Sequence, residues 1–202
     1  IHTDFPTKFG VPRQSGLITE LKGTIAFEPK YRDPEAVKGL SGFDFIWLLW
    51  DFSRAHRKNW SATVCPPRLG GKTHVGVFAT RSPFRPNSIG LSSVRLDEIE
   101  LTDKGPLLHV SGVDMMDGTP IYDIKPYIAA YDSHAGARDG FTEGIIDADI
   151  RVCDPHRLID KSMLSVEQKN ALIKLLKEDP RPRFDADNAG ERIYGFFYAD
   201  YD

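Results

Sequence analysis

The sequence predicts a mainly β protein: a small β-barrel with a small α+β appendage at its C-terminal end. Short strand patterns fill the first 130 residues, no long helices alternate with them, and the clearest amphipathic helix comes only after residue 160. A doubly wound sheet needs alternating strands and helices, whereas short strands joined by turns favour an antiparallel or mixed barrel. We place the barrel in residues 1–135 and the appendage in residues 150–202. Residues 132–149, rich in Asp, Gly, Ala and Ser, are expected to form a surface connection.

Strands are expected where β-branched and aromatic residues lie between turn signals. Residues 43–52 are apolar on both faces in the middle of the run, which is typical of a central strand. In residues 92–101 the apolar alternation changes phase, which predicts a bulge near Asp97 and Glu98. Further strands are expected at residues 23–27, 75–80, 107–113, 121–127 and 192–198.

Two helices have clear start signals. Residues 33–39 have Asp33 as the N-cap and Pro34 at the first helical position. The longer helix begins after Ser165, which can form a capping box with Gln168. Its buried stripe is predicted to be Ala171, Leu172, Leu175 and Leu176.

The net charge of −3 conceals an asymmetry along the chain. Residues 52–96 contain no Asp or Glu and eight basic residues, while the remainder has 18 basic and 29 acidic residues. The eight are Arg54, Arg57, Lys58, Arg68, Lys72, Arg81, Arg85 and Arg95. Such a block favours an anionic partner such as phosphate, carboxylate or nucleic acid. The alternative is a solvated face neutralised by acids that fold against it.

Several classes of protein are disfavoured by what the sequence lacks. Two cysteines, Cys65 and Cys153, make neither a zinc ribbon nor a disulfide scaffold and fit a reducing cytoplasm. No apolar run approaches the ~20 residues of a membrane span, and the six histidines have no metal-ligand spacing. No Gly-x-Gly-x-x-Gly motif supports a Rossmann cofactor site. The chain begins without Met, and we expect the natural protein to extend beyond both ends.

The most unusual segment is residues 78–91, here called the arginine loop. It places Arg81, Arg85 and Asn87 among two prolines. Because proline fixes φ and holds the preceding residue extended, the loop should be stiff. Arginines held in place in this way suit bidentate capture of a carboxylate or phosphate. The alternative is a rigid loop whose arginines pair with nearby Asp residues.

Two other constrained segments carry polar groups. Arg13 and Gln14 lie between a proline and a glycine, and glutamine has the donor and acceptor needed to read a purine edge. An N-terminal arm packed on the barrel is an equal alternative. Residues 60–71 suggest a rigid crossing that ends in a glycine turn, with basic ends that would help hold a phosphate backbone.

A further segment with candidate functional residues is residues 114–127. Asp114 and Asp117 could accept ligand protons or ribose hydroxyls at the end of a strand. Asp117 precedes Gly118, however, and could instead only shape its turn. Lys125 is held extended before Pro126, so its amine is expected to reach outward.

Together these segments resemble the TsaA-like tRNA methyltransferases. The matching residues are 8–14, 39–52, 66–71, 76–91 and 114–127, and the run Phe-Ala-Thr-Arg-Ser-Pro-Phe-Arg-Pro-Asn is highly specific. Residues 179–182 and the last strand also resemble the smaller C-terminal domain of the bacterial enzymes. The resemblance implies a β-barrel homodimer that holds S-adenosylmethionine beside the barrel. It also implies methylation of N6 of threonylcarbamoyladenosine, with the tRNA anticodon arm as partner.

The resemblance also implies roles for individual residues. The implied cofactor contacts are Arg13, Gln14, Ser15, Ser53, Arg54, Arg81, Leu91, Asp114, Met115, Met116 and Asp117. The bacterial relatives tend to carry His-Gln or Asp-Gln where this chain has Ser53 and Arg54. The chemistry of methyl transfer leads us to nominate Asp114 or Asp117 as the proton acceptor, with solvent as the alternative. Arg81 or Arg85 could bind the threonyl carboxylate, or Arg81 the methionyl carboxylate of the cofactor. Arg85 is also a catalytic candidate, and the candidate substrate contacts are Arg85, Asn87, Lys125 and Arg181.

Two other functions stay open at this stage. The same arginine loop could hold a nucleotide or RNA in a barrel that does no chemistry. The chain could also be an S-adenosylmethionine-dependent enzyme that acts on a small molecule, since its C-terminal part is short and divergent.

Overall fold

The computed structural model describes residues 1–144, 150–181, 193–195 and 197–201. These residues contain eight strands and three α-helices. The strands are β1 (His2–Thr3), β2 (Lys22–Ala26), β3 (Phe45–Asp51), β4 (Thr63–Val64), β5 (Val75–Gly76), β6 (Ile89–Thr102), β7 (Gly105–Ser111) and β8 (Ile121–Pro126). The helices are α1 (Ala129–Asp132), α2 (Leu158–Lys161) and α3 (Val166–Lys177).

One antiparallel sheet dominates the molecule. Its order is β1-β2-β7-β6-β3-β8, and a separate two-stranded sheet pairs β4 with β5. The large sheet curls into a half-barrel around the core, with β1 and β8 at its edges in the described chain. The predicted mainly β fold is therefore confirmed, although the sheet stays open where a complete barrel was expected.

The predicted central strand, β3, lies between β6 and β8. Its inward side chains Ile46, Leu48 and Trp50 are buried in the core. Its outward side chains alternate with them and remain partly exposed. The prediction of a central strand is therefore confirmed.

The predicted bulge in the long strand is confirmed. The pairing of β6 with β7 shifts register between Leu96 and Glu98, which leaves Asp97 without a strand partner. The Asp97 carboxylate accepts hydrogen bonds from Ser111 Oγ and Lys22 Nζ, each at 3.0 Å. The bulge therefore turns one polar side chain toward β7 and, beyond it, toward Lys22 of β2.

Three predicted elements need correction. The strand expected at residues 75–80 is only Val75–Gly76, because residues 77–79 turn into a 3₁₀ helix that buries Val77. Residues 33–39 contain a short 3₁₀ helix rather than an α-helix, although Asp33 caps it as predicted, accepting from the Glu35 N–H. The last strand was expected at residues 192–198, of which positions 192 and 196 lie outside the described residues. The described positions contain no strand, and Tyr198 forms only an isolated bridge with Tyr201.

The capping box of α3 is confirmed, with Ser165 accepting from the Gln168 backbone N–H and Gln168 bonding in return to the Ser165 backbone. Of the predicted stripe, Ala171 and Leu175 are buried in the same hydrophobic cluster as the strands. Leu172 packs partly buried against that cluster. The division into two domains stays a prediction. Among the described residues no helix is both long and apolar enough to span a bilayer.

Candidate functional site

An open cleft of about 2090 Å³ lies beside the sheet. Its walls include residues from the segment 8–14, here called the N-terminal arm, and from the segments between β3 and β6. Tyr122 of β8, the connection after α1 and residues 180–181 complete the walls. Eight lining residues are basic and two are acidic, so the cleft is strongly positive. The basic ones are Lys8, Arg13, Arg57, Lys58, Arg81, Arg85, Arg138 and Arg181, and the acidic ones are Asp51 and Asp139.

We call this cavity the cationic cleft. Four of the eight basic residues of the acid-free block line the cleft, namely Arg57, Lys58, Arg81 and Arg85. The side chain of Arg68 is not described. A cluster of this sign and size attracts an anionic ligand, as the charge asymmetry predicts.

The arginine loop is held by its own hydrogen bonds. The Thr80 Oγ1 accepts from the Ser82 N–H at 3.2 Å, and the Ser82 Oγ accepts from the Phe84 N–H at 3.2 Å. Arg85 Nη1 donates to the Thr80 carbonyl at 3.0 Å. These side-chain-to-backbone bonds add to the constraint that the prolines place on the loop, and its stiffness stays a prediction.

The structure brings the arginine loop and the N-terminal arm together. Arg81 Nη1 donates to Gln14 Oε1, and Gln14 Nε2 donates to the Arg13 carbonyl at 2.5 Å. Arg13, Gln14 and Arg81 were singled out from separate stretches of sequence, and all three line the cationic cleft. Asn87 lines it as well.

Asp114 is near enough to Arg81 to be affected by its charge, but it is not among the residues that line the cleft. Ser92 Oγ donates to Asp114 Oδ1 at 2.7 Å, and Trp50 Nε1 donates to Ser92 Oγ at 3.0 Å. Burial raises the pKa of Asp114 to about 6, against the opposing effects of the Ser92 hydroxyl, the Ser15 backbone N–H and the Arg81 charge. A buried carboxyl that changes protonation near neutral pH is typical of functional sites.

Asp117 has different surroundings. Its Oδ1 accepts from the Thr3 N–H at 3.1 Å and lies 3.2 Å from His2 Nδ1. The next backbone N–H, of Gly118, donates to the Ile1 carbonyl at 2.9 Å. Asp117 thus ties its turn to β1, which favours the turn-forming alternative over a ligand contact.

The remaining predicted contacts lie around the cleft rather than in it. The side chain of Met115 is buried in the core, so only its backbone could meet a ligand. Met116 is half-buried in the same turn. The others are solvent-accessible positions outside the cleft lining, namely Ser15, Ser53, Arg54, Leu91 and Lys125.

The C-terminal segment meets the arm in an arrangement that the sequence did not predict. Arg13 Nη2 donates to the carbonyls of Glu178 and Asp179, each at 3.1 Å, at the end of α3. Arg181 instead pairs with the Asp179 carboxylate, at 2.6 and 2.8 Å. The helix end therefore binds Arg13, whereas Arg181, which was predicted to contact the substrate, is paired with Asp179.

Sequence reasoning missed two groups of cleft residues. The first group lies at the end of β3, where Asp51 Oδ1 lies 2.6 Å from His56 Nε2. A single acidic residue at the end of an apolar strand is the sequence feature that could have revealed it. The second group is aromatic and comprises Trp60, Phe78 and Phe84. No cluster of three His, Cys, Asp or Glu side chains suited to a metal occurs in the part of the chain that is described.

In the described residues, an open antiparallel half-barrel with a wide cationic cleft, and without a Gly-rich turn that leads into a long helix, indicates an anion-binding protein outside the Rossmann architecture. Comparison with known proteins narrows this class. The model of the tRNA-methyltransferase O N-terminal domain family matches residues 1–133, and the chain belongs to this family.

Individual relatives agree with this assignment. The chain is 34% identical over 206 residues to the tRNA (adenine(37)-N6)-methyltransferase of Escherichia coli, covering all of this chain and 87% of that protein. It is 38% identical over 212 residues to a Pseudomonas aeruginosa protein assigned as an S-adenosylmethionine-dependent methyltransferase, with coverage of 100% and 87%. The crystal structure of TrmO superposes with a TM-score of 0.71 at 32% identity, covering 98% of this chain and 85% of the other.

Proposed function

We propose that this protein transfers a methyl group from S-adenosylmethionine to N6 of adenosine 37 in tRNA. The observation that carries the proposal is the family match over residues 1–133, which contain the arginine loop and most of the cationic cleft. The relatives named as tRNA (adenine(37)-N6)-methyltransferases support it, as does the positive charge that a tRNA phosphate backbone requires.

The finer substrate is threonylcarbamoyladenosine. In plain adenine the N6 lone pair is delocalised into the ring, whereas in the threonylcarbamoyl derivative N6 belongs to a urea-like group with a more acidic N–H. The modification also carries a carboxylate. Arg85, held at the cleft wall by the Thr80 carbonyl, is positioned to bind that carboxylate, with Asn87 beside it.

The cofactor-binding group is proposed to be Arg81 with Gln14 and the Ser15 backbone. Their chemistry fits the cofactor, since a guanidinium suits its methionyl carboxylate and an amide suits its adenine edge. Bound there, S-adenosylmethionine would supply the electrophilic methyl group. Holding two reactants in line can remove ~7–11 kcal/mol of the barrier.

The N6 proton needs an acceptor when the new bond forms. Of the two nominated carboxylates, Asp114 is favoured, because its pKa of about 6 suits a base at neutral pH and it lies beside Arg81. The Asp117 carboxylate is already engaged by β1. Solvent at the cleft mouth remains the second possible acceptor.

A homodimer is proposed through the outer face of the sheet. Phe45 of β3 is 43% exposed and Leu91 of β6 is 57% exposed, and both point away from the core. Leu91 lies opposite Leu49 across the β3–β6 pairing, with Phe45 further along the same face, and exposed apolar residues grouped on one face mark interaction surfaces. The face adjoins the arginine loop, so a second copy would lie near the proposed cofactor site.

The decisive experiment supplies the protein with methyl-labelled S-adenosylmethionine and bulk tRNA, followed by nucleoside analysis. We expect label only in tRNA that carries threonylcarbamoyladenosine, and none when that modification is absent. Label in unmodified adenosine would refute the finer substrate. Binding without transfer would support the non-catalytic barrel, and label in a small-molecule fraction would support the third alternative.

A further inference from the structure

Two large aromatic side chains stand exposed in the wall of the cationic cleft. Trp60 precedes β4 and is 55% exposed, and Phe78 follows β5 and is 73% exposed. Their ring centroids are 6.3 Å apart, with 32° between the ring planes. We call Trp60 and Phe78 the aromatic pair.

The small sheet fixes the backbone beneath the aromatic pair. β4 and β5 pair in antiparallel register, with Thr63 opposite Gly76 and Val64 opposite Val75. The Val77 N–H donates to the Ala62 carbonyl at 2.9 Å, and the Val77 side chain is buried. The two rings are thus presented by an ordered backbone, while most of their surface remains open.

A third aromatic ring in the cleft, that of Phe84, differs from the aromatic pair because cations lie close to it. The Arg57 guanidinium lies 3.6 Å from the centroid of Phe84, and Lys8 Nζ lies 5.8 Å from it. Phe84 therefore serves to position cations through cation–π contacts. In the described chain neither ring of the aromatic pair is covered by a cation in this way, so the open faces of both rings are available to a ligand.

The basic residues that share the cleft with the aromatic pair indicate what kind of ligand it would bind. Exposed aromatic rings beside Arg57, Lys58 and Arg81 suit a molecule with both a flat apolar face and negative charge. Proteins that bind single-stranded RNA combine the same two features, because splayed-out bases stack on aromatic rings while basic side chains hold the backbone.

We infer that the aromatic pair is a stacking site for one unpaired base of the RNA loop that carries the target adenosine. The inference rests on the proposed function and adds the means by which the enzyme distinguishes a loop from a duplex. A paired base is already stacked within its helix and cannot reach the two rings, so a duplex would use only the cations.

The test measures the affinity of the full chain for two RNAs: an anticodon stem-loop, and a duplex of equal charge without unpaired bases. Trp60→Ala and Phe78→Ala should each weaken stem-loop binding about 5- to 100-fold, the range for loss of one base–aromatic stack. Duplex binding and its salt dependence should not change. Trp60→Phe, which keeps a ring, should restore most of the stem-loop affinity.

Tyr131→Ala is the matched control, since Tyr131 is an aromatic residue 78% exposed on α1 and outside the cleft lining. It should leave both affinities at the wild-type value, and circular dichroism should show all variants folded. Equal stem-loop affinity in the wild type and in both alanine variants would overturn the inference. Methylation by the wild type would still support the proposed function in that case. Equal loss on stem-loop and duplex would also overturn it. Failure of the wild type to methylate tRNA would instead reject the proposed function.

Discussion

At the scale of single residues, the most informative group is Asp114, because it is hydrogen-bonded to the core and lies within electrostatic range of the cleft residue Arg81. The indole of Trp50 donates to Ser92, and Ser92 donates to Asp114, which faces the charge of Arg81. The carboxylate is thus placed by neutral donors from the core and by one cation from the cleft. This explains how a buried acid can stay ionisable near neutral pH.

Asp114→Asn tests this environment through stability. Because burial raises the pKa of Asp114 to about 6, the native state binds more protons than the unfolded chain between pH ~4 and ~6. As pH rises through that window, the free energy of unfolding of the wild type should therefore fall. We expect this fall to exceed that of Asp114→Asn by up to about 3 kcal/mol. Urea unfolding at several pH values measures the difference.

Asp117→Asn is the control for activity, since Asn keeps an oxygen that can accept from the Thr3 N–H. We expect near-normal turnover for Asp117→Asn. We expect a loss of about 10²–10⁴-fold for Asp114→Asn if Asp114 accepts the proton. Equal turnover of the two variants would assign the proton to solvent.

Arg81→Ala should abolish measurable cofactor binding in a calorimetric titration. The guanidinium is proposed to carry the charge-assisted bonds to the cofactor carboxylate, each worth about 1.5–3 kcal/mol. Lys104→Ala, in the turn between β6 and β7, should leave the affinity unchanged. An unchanged affinity in Arg81→Ala would remove Arg81 from the cofactor site.

At the scale of elements, β3 and β6 form the wall that supports the site. They pair over seven positions from Phe45 opposite Arg95 to Asp51 opposite Ile89. Gly90 lies opposite Trp50, and a Cβ added at Gly90 would lie 2.2 Å from Trp50 Cε2. The absence of a side chain at Gly90 is what lets the Trp50 ring lie flat on β6 and reach Ser92.

Gly90→Ala should therefore destabilise the protein by about 1–3 kcal/mol, since overpacking must displace a buried ring. Thermal unfolding measures the loss, at roughly 2–4 °C per kcal/mol for a chain of this size. Gly42→Ala is the comparison, because an added Cβ there meets nothing within 4 Å. A Gly90→Ala melting temperature equal to that of Gly42→Ala would contradict the packing argument.

At the scale of the whole molecule, charge is segregated. The chain carries −3 overall, yet the cleft collects eight basic and two acidic residues. The remaining surface is correspondingly acidic, which directs a polyanion toward the cleft and away from the rest of the protein.

The affinity for tRNA should consequently fall steeply with salt, because each phosphate contact releases counterions. Lys58→Ala should reduce the slope of log affinity against log salt by about one. Filter binding across a salt series measures both quantities, with Lys104→Ala as the variant whose slope should match the wild type. A flat profile for the wild type would mean that the cleft does not hold the nucleic acid.

The assembly can be tested in the same way. Phe45→Lys places a charge on the outer face of β3 and should convert a dimer to a monomer in sedimentation equilibrium. Leu101→Lys, at the far end of β6 and also exposed, should leave the assembly state unchanged. A monomeric wild type would refute the proposed dimer.

The sequence by itself determined the elements whose causes are local. The capping box of Ser165, the Asp33 cap, the phase change at Asp97 and the mainly β class all depend on neighbours a few residues away, and each is confirmed. The arginine loop could be predicted for the same reason, since prolines within the loop constrain its own arginines. Its motif was specific enough to indicate the family.

Only the tertiary structure decided which distant residues meet. The placement of Arg13 on the end of α3, the contact of Arg81 with Gln14 and the burial of Asp114 all join segments more than 60 residues apart or depend on such packing. The approach of Trp60 to Phe78 likewise depends on the pairing of β4 with β5. These contacts arise from side chains packing across strands, and no local pattern records which partner a given residue will face.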